Sequence, residues 1–159
     1  MKVDTMRRID YWVGVPLCFL GSVFHQGLRW FIKKNKTAPK NVLFIELSEM
    51  GSAILVDPAM RKLQKEAGAN IHFAIFNKNK PSLDLIKTVP PDNIYTIRED
   101  HLLSFIHDAF KFFFWTRQRK IDAVIDLELF SRFTALLAGF SGASYNIGFH
   151  AYYNEGLYR

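Results

Sequence analysis

The chain has little with which to build covalent or metal chemistry. Of its 159 residues only one, Cys18, is a cysteine. One thiol closes no internal disulfide, and no paired or clustered cysteines mark a metal or redox site; a reducing compartment is the simpler reading. No set of His, Asp and Glu has a metal-ligand spacing, and no Ser-His-Asp set is readable. Residues 46–53 lack Gly-x-Gly-x-x-Gly, which counts against a nucleotide-binding Rossmann enzyme. There is no internal repeat and no low-complexity tract. Charge is absent from residues 11–28.

An apolar fraction of 49% and a charged fraction of 23% are those of an ordinary globular chain, long enough for one domain with a real core. The net charge of +6 is unevenly placed. Residues 1–40 hold eight Lys/Arg against two Asp/Glu, whereas residues 41–159 hold 13 of each sign. A neutral globular part argues against a nucleic-acid partner. The cations instead flank an apolar segment, and that pattern points to an anionic lipid surface.

Within the segment, residues 11–24 are mostly apolar. Tyr11 and Trp12 stand at one end, Trp30 and Phe31 at the other, with Arg7 and Arg8 before and Lys33, Lys34, Lys36 and Lys40 after. About 14 strongly apolar residues fall short of the roughly 20 that a spanning helix needs. Gly14, Pro16, Gly21, His25, Gln26 and Gly27 weaken it further. No small-x-small cleavage site follows, which argues against a signal peptide. The expectation for residues 1–40 is a membrane-anchor segment, in-plane or re-entrant; a single span and a helix packed on its own protein stay open. Residues 37–40 read as a linker.

The rest is organised around residues 41–63. Asn41-Val42-Leu43-Phe44-Ile45-Glu46 is a strand apolar on both faces, which suits the middle of a parallel sheet. Leu47-Ser48-Glu49-Met50-Gly51-Ser52 is a short turn with Gly51 at its tightest point. Gly51 is expected at φ > 0 or too close to its surroundings for a side chain. From Ala53 a helix carries Ile54, Val56, Ala59, Met60 and Leu63, with Pro58 compatible with its first turn. Such a turn offers free backbone N–H groups at the carboxyl edge of the sheet, where open α/β sheets bind ligands.

Strands are predicted at 71–76, 93–97, 121–127 and 145–149, and helices at 82–87, 101–119 and within 128–139. Gly68 suits the end of the first helix and Ser82 the N-cap of the second. The run from Phe112 to Trp115 carries more aromatic surface than one core face needs; burial is the simpler reading, a lipid- or acceptor-facing patch the other. This alternation predicts an α/β fold: a Rossmann-like, doubly wound, largely parallel sheet preceded by an apolar N-terminal helix.

A strand followed by Ser-x-x-Gly-Asp, an apolar run, Pro-Ala and a helix resembles the start of glycosyltransferase family 9, which includes the lipopolysaccharide heptosyltransferases. Ser48, Met50, Gly51, Pro58 and Ala59 match. So do Asp122-Ala123-Val124-Ile125-Asp126 with Arg132, then Ala135-Leu136-Leu137-Ala138, Ser141-Gly142-Ala143 and Ile147-Gly148-Phe149. The likeness runs from about Asn41 to Tyr158. Two positions depart from it. The family's acid after the glycine, thought to activate the acceptor hydroxyl, is Ser52, and a hydroxyl is no comparable base at neutral pH. The family's Gln-Gly is Glu128-Leu129.

The resemblance implies that residues 41–159 form the N-terminal, acceptor-side half of a GT-B fold, with the donor-binding domain absent and the chain incomplete as given. A complete enzyme would move a heptose-like sugar from a nucleotide-sugar to a lipopolysaccharide or related glycolipid at the cytoplasmic face of the inner membrane. No cofactor or metal is expected on this chain. A non-catalytic, membrane-associated Rossmann-like binding module is the alternative. Acceptor contacts fall to Ser48, Gly51, Ser52, Asp126, Glu128 and Arg132. Against these stand plainer roles: a tight turn for the first three, a helix N-cap for Asp126 and Glu128, and a solvated charge for Arg132. Ser52, Glu49 and Glu128 are the catalytic candidates. His72, within a strand, reads as structural.

Overall fold

The computed structural model of the protein describes Trp12 and residues 14–29, 38–129 and 131–149. The flanking cations Arg7, Arg8, Lys33, Lys34 and Lys36, the aromatics Tyr11, Trp30 and Phe31, and the expected interdomain stretch at 154–158 lie outside the described residues.

Five strands form one sheet: β1 (Asn41–Ile45), β2 (Asn70–Phe76), β3 (Ile94–Ile97), β4 (Ala123–Asp126) and β5 (Tyr145–Gly148). Their order is β3-β2-β1-β4-β5, and every pair is parallel. Parallel neighbours require crossovers, and helices supply them. From β1 the chain passes through α2 (Met50–Leu55) and α3 (Asp57–Ala67) to β2, then through α4 (Pro81–Ile86) to β3. It returns through α5 (Leu102–Gln118) to β4, beside β1, and reaches β5 through α6 (Arg132–Phe140). α1 (Gly14–Arg29) precedes the sheet.

The expected doubly wound sheet is therefore present. Successive residues of a strand face opposite sides, so a strand in the middle must be apolar on both. Val42 and Phe44 of β1 join Ile71, Phe73 and Ile75 of β2 on one face, under Ala53, Met60 and Leu83. Leu43 and Ile45 join Ala74 and Phe76 on the other, under Phe112 of α5 and Leu137 and Ala138 of α6.

Three local expectations are corrected. The single helix starting at Ala53 is two, with Val56 between them. Pro58 lacks an N–H and its ring would clash with the carbonyl four residues back, so α2 stops and α3 restarts. Gly51 lies inside α2; its φ is not positive, and a Cβ there would meet nothing within 4 Å. Ser82 is not a cap: Pro81 opens α4, and the Ser82 hydroxyl donates to the Asn79 carbonyl at 2.8 Å. Gly68, by contrast, ends α3 at φ +60° as expected, its N–H bonded to Leu63.

The aromatic run of α5 divides. Phe112 is fully buried, Phe113 and Trp115 pack partly on the same core, and Phe114 is 79% exposed. α1 lies against α6. Among its described side chains Gly14, Cys18 and Gly21 are buried, and the Cys18 thiol donates to the Arg132 carbonyl at 3.7 Å. A methyl group at Gly14 would lie 2.9 Å from Arg132 Cβ, so only glycine allows the helices this close. The opposite side of α1 exposes Phe19, Leu20 and Val23, and Leu17 is exposed at its edge. Among the described residues no helix is long and apolar enough to cross a membrane.

Candidate functional site at the β1–β4 switch point

β1 and β4 are neighbours whose chains leave in opposite directions, β1 toward β2 and β4 toward β5. Crevices at such a switch point, beyond the carboxyl ends of the strands, are where doubly wound sheets hold ligands. Ile45 pairs with Asp126 at this end. Glu46 and residues 47–49 follow one strand, Leu127 and Glu128 the other.

Glu128 joins the two loops. Its Oε1 accepts the Ser48 N–H at 2.9 Å, and its Oε2 accepts the Ser48 hydroxyl at 2.9 Å. The Glu128 N–H in turn donates to Asp126 Oδ1 at 3.1 Å. On the other side, Glu46 Oε1 accepts the Glu49 N–H at 3.2 Å, and Glu49 Oε2 accepts the Ser52 hydroxyl at 3.0 Å. Buried Asn79 clamps the turn from below, its amide donating to the Leu47 carbonyl at 2.8 Å and the Ser48 carbonyl at 3.0 Å.

Two carboxyl groups are tuned toward neutrality. Burial pushes Glu46 up to about 7; the nearby Glu128 charge adds to this, and the N–H groups of Glu49 and Ser48 oppose it. Burial likewise pushes Asp126 up to about 7, against hydrogen bonds from Thr134 and the Glu128 N–H and with help from the Glu128 charge. A carboxyl with a pKa near the working pH both accepts and releases protons readily. Glu49 and Ser48 are exposed, so the front of the site offers a carboxylate and hydroxyls to water while the back holds protonatable acids. This set suits a hydroxyl-rich ligand.

The candidates meet this geometry unequally. Ser48, Glu49, Ser52, Asp126 and Glu128 form one connected group with Glu46. Gly51 faces open space as the second residue of α2, and Arg132 opens α6 with its stem against Gly14 of α1. The N-cap of α6 is Ser131, whose hydroxyl accepts the Thr134 N–H at 3.4 Å, so neither Asp126 nor Glu128 caps that helix. The backbone N–H groups expected to be free for an anion are partly used: those of Ser48 and Glu49 donate to Glu128 and Glu46. Among the described residues no group of His, Cys, Asp and Glu is arranged to hold a metal ion.

Glu46 and Asn79 were missed in the sequence. A carboxylate closing the apolar run Val42-Leu43-Phe44-Ile45 was the available signal for Glu46; Asn79, in a polar loop, carried none. His72 is structural: it is buried at the far end of β2, edge-on to Trp115 at 5.7 Å, and burial, aided by the Arg119 charge, lowers it to about 4. Beside the site, on the α3 face, runs an apolar groove of about 450 Å³ lined by Phe44, Val56, Leu63, Ile125 and Leu127, with Lys62 and Glu66 among its polar residues.

No family model matches the sequence, and no curated protein matches it. Among solved structures, the chain is similar to a glycosyl transferase family 9 structure from Veillonella parvula DSM 2008, with a TM-score of 0.56 and 19% identity over 80% of this chain. The chain spans about a third of that structure, 34% of its length. At this identity the likeness is one of fold: residues 41–149 have a Rossmann-like α/β architecture with an all-parallel five-stranded sheet.

Proposed function

We propose that the chain is the acceptor-binding half of a family 9 glycosyltransferase. The observation that carries this reading is the clamp between Ser48 and Glu128, which joins the β1 and β4 loops over two near-neutral acids at the switch point. Ser48 and Ser52 would bind acceptor hydroxyls, and Asp126 and Glu128 would shape the crevice. Glu49 is the favoured base: its Oε2 lies 3.0 Å from the Ser52 hydroxyl, beside the position where the family carries its acid. Glu128 is the weaker candidate, because both of its oxygens already accept from Ser48. Gly51 would serve only by keeping the start of α2 open.

The sugar is heptose-like, the donor a nucleotide-sugar on a second domain, and the acceptor a lipopolysaccharide or related glycolipid. Residues 1–40 act as the membrane-anchor segment, in-plane or re-entrant rather than spanning, at the cytoplasmic face of the inner membrane. Support comes from the exposed apolar side of α1 and the concentration of net charge in that quarter of the chain.

The test is binding of deacylated lipopolysaccharide inner-core oligosaccharide, followed by saturation-transfer NMR. The chain should bind it, and Ser48→Ala with Glu128→Ala should weaken binding about tenfold or more. No binding by the wild-type chain overturns the reading. A non-catalytic membrane-associated binding module is the second reading, favoured by Ser52 standing where the family has an acid. Sugar transfer from any nucleotide-sugar by residues 1–159, above a heat-killed control, would exclude it and would equally refute a half-enzyme.

A further inference from the structure

The outward side of α5 has an unusual make-up. Leu103, Phe110 and Phe114 are 81%, 64% and 79% exposed, and Ile106 is exposed beside them. At 100° per residue these four share one arc along most of the helix. His107 and Lys111 border one side of the arc, Arg117 stands at its C-terminal end, and all three are exposed. The helix has a single carboxylate, Asp108, and it faces inward, where Arg98 holds it with bonds of 2.8 and 2.7 Å. Glu99 and Asp100 precede the helix, and Glu99 pairs with Lys78 at 3.5 Å; Asp92 lies at its other end, where the Asp92 carbonyl accepts from Arg119 at 2.6 Å. The inward side is already complete: Phe112 fills the core, Phe105 packs at a tilt on Phe133, and Phe113 meets Phe140 of α6 edge-on. The outer crest therefore has no role in holding the fold together.

We propose that this crest of α5 is a second membrane-contact surface, which lies in the interface of an anionic bilayer with Leu103, Ile106, Phe110 and Phe114 among the acyl chains and Lys111 and Arg117 at the headgroups. An apolar arc bordered by cations and free of carboxylates is the pattern of an interfacial helix. A second copy of the chain is the other natural occupant, but charge argues against it. A two-fold contact puts each crest against its own copy, and the crest carries no acid of its own to face Lys111. The Arg117 guanidinium also donates to the Ser141 carbonyl at 2.8 Å and the Phe140 carbonyl at 3.3 Å, which holds it at the rim. The inference extends the membrane contact proposed for residues 1–40 to a separate element, and rests on that reading only in naming a bilayer as the partner.

The experiment is flotation of the full chain with glycolipid-free vesicles of mixed phosphatidylcholine and phosphatidylglycerol. The variants are Leu103→Gln/Phe110→Gln/Phe114→Gln on α5 and, separately, Leu17→Gln/Leu20→Gln on α1. Because the substituted α5 residues are exposed, the melting temperature should hold, while the partition coefficient should fall about tenfold or more relative to wild type. In parallel, Phe114→Cys carrying an environment-sensitive fluorophore should shift to the blue on these vesicles; Cys18 is buried and does not compete for label. Unchanged partition of the α5 variant, or no spectral shift at position 114, overturns the proposal. So does a loss of self-association in lipid-free sedimentation with vesicle binding intact, which would make the crest a protein interface. Loss of binding in the α1 variant alone would keep the anchor reading and remove this one. Without glycolipid in the vesicles, none of these results depends on the acceptor site.

Discussion

Glu128 grips Ser48 at two points, taking the backbone N–H on one carboxylate oxygen and the side-chain hydroxyl on the other, each at 2.9 Å. The pair spans the gap between strands that the chain reaches 80 residues apart. Removing the carboxylate leaves the loop after β1 tied through Asn79, Glu46 and the Phe76 N–H, which donates to the Leu47 carbonyl at 3.4 Å. Glu128→Ala should speed amide hydrogen exchange at Ser48 and lower stability by about 1 kcal/mol. Glu128→Gln, which still accepts the N–H, should exchange more slowly than Glu128→Ala. Equal exchange in all three proteins would mean that the clamp does not order the loop.

Gly51 should now be improvable. It sits in helical backbone with open space where a Cβ would go. Gly51→Ala should raise stability by about 0.5–1 kcal/mol, because the glycine loses more backbone freedom on folding. Thermal melts check this, and a fall in melting temperature would restore the tight-turn expectation.

Asp126 makes stability depend on pH in a definite direction. Its pKa rises from 3.8 in the unfolded chain to about 7 in the fold, so the fold retains a proton that the unfolded chain has lost. Its favourable contribution is complete below about 3.8 and is lost as pH rises through about 7. Asp126→Asn should therefore be more stable than wild type at pH 8 by roughly 1–3 kcal/mol, with the advantage shrinking toward pH 4. Denaturant titrations at several pH values decide it; a difference independent of pH would show that Asp126 is ionised in the fold.

His72 works in the opposite sense on the acid side. Burial lowers it from 6.5 to about 4, its Nδ1 has no hydrogen-bond partner, and protonation would place a charge beneath Trp115. Stability from this group is present above about 6.5 and is lost as pH falls through about 4. His72→Phe should flatten that limb of the profile. An unchanged limb in the variant would assign the acid loss to other groups.

The order of strands and helices was readable from residues 41–149 because each strand carries its own burial pattern. Asn41–Ile45 is apolar on both faces, and only a central parallel strand needs that. Gly68 marked the end of α3 because the left-handed backbone there excludes most other residues. These signals are local: a side chain or a φ angle restricts its own few residues. Tertiary structure decided the rest. Whether Gly51 sits in a turn or a helix was settled by the helical hydrogen bonds around it, Ala53 to Glu49 and Val56 to Ser52, and Glu46 became a tuned acid only when the fold buried it and brought the Glu128 charge over from the loop after the neighbouring strand. The same holds for Phe112 and Phe114, two positions apart on one helix. The sheet buries one and leaves the other in solvent, and no property of either side chain distinguishes them. Burial and electrostatic coupling arise between distant residues, so they are settled only when the chain has brought those residues together.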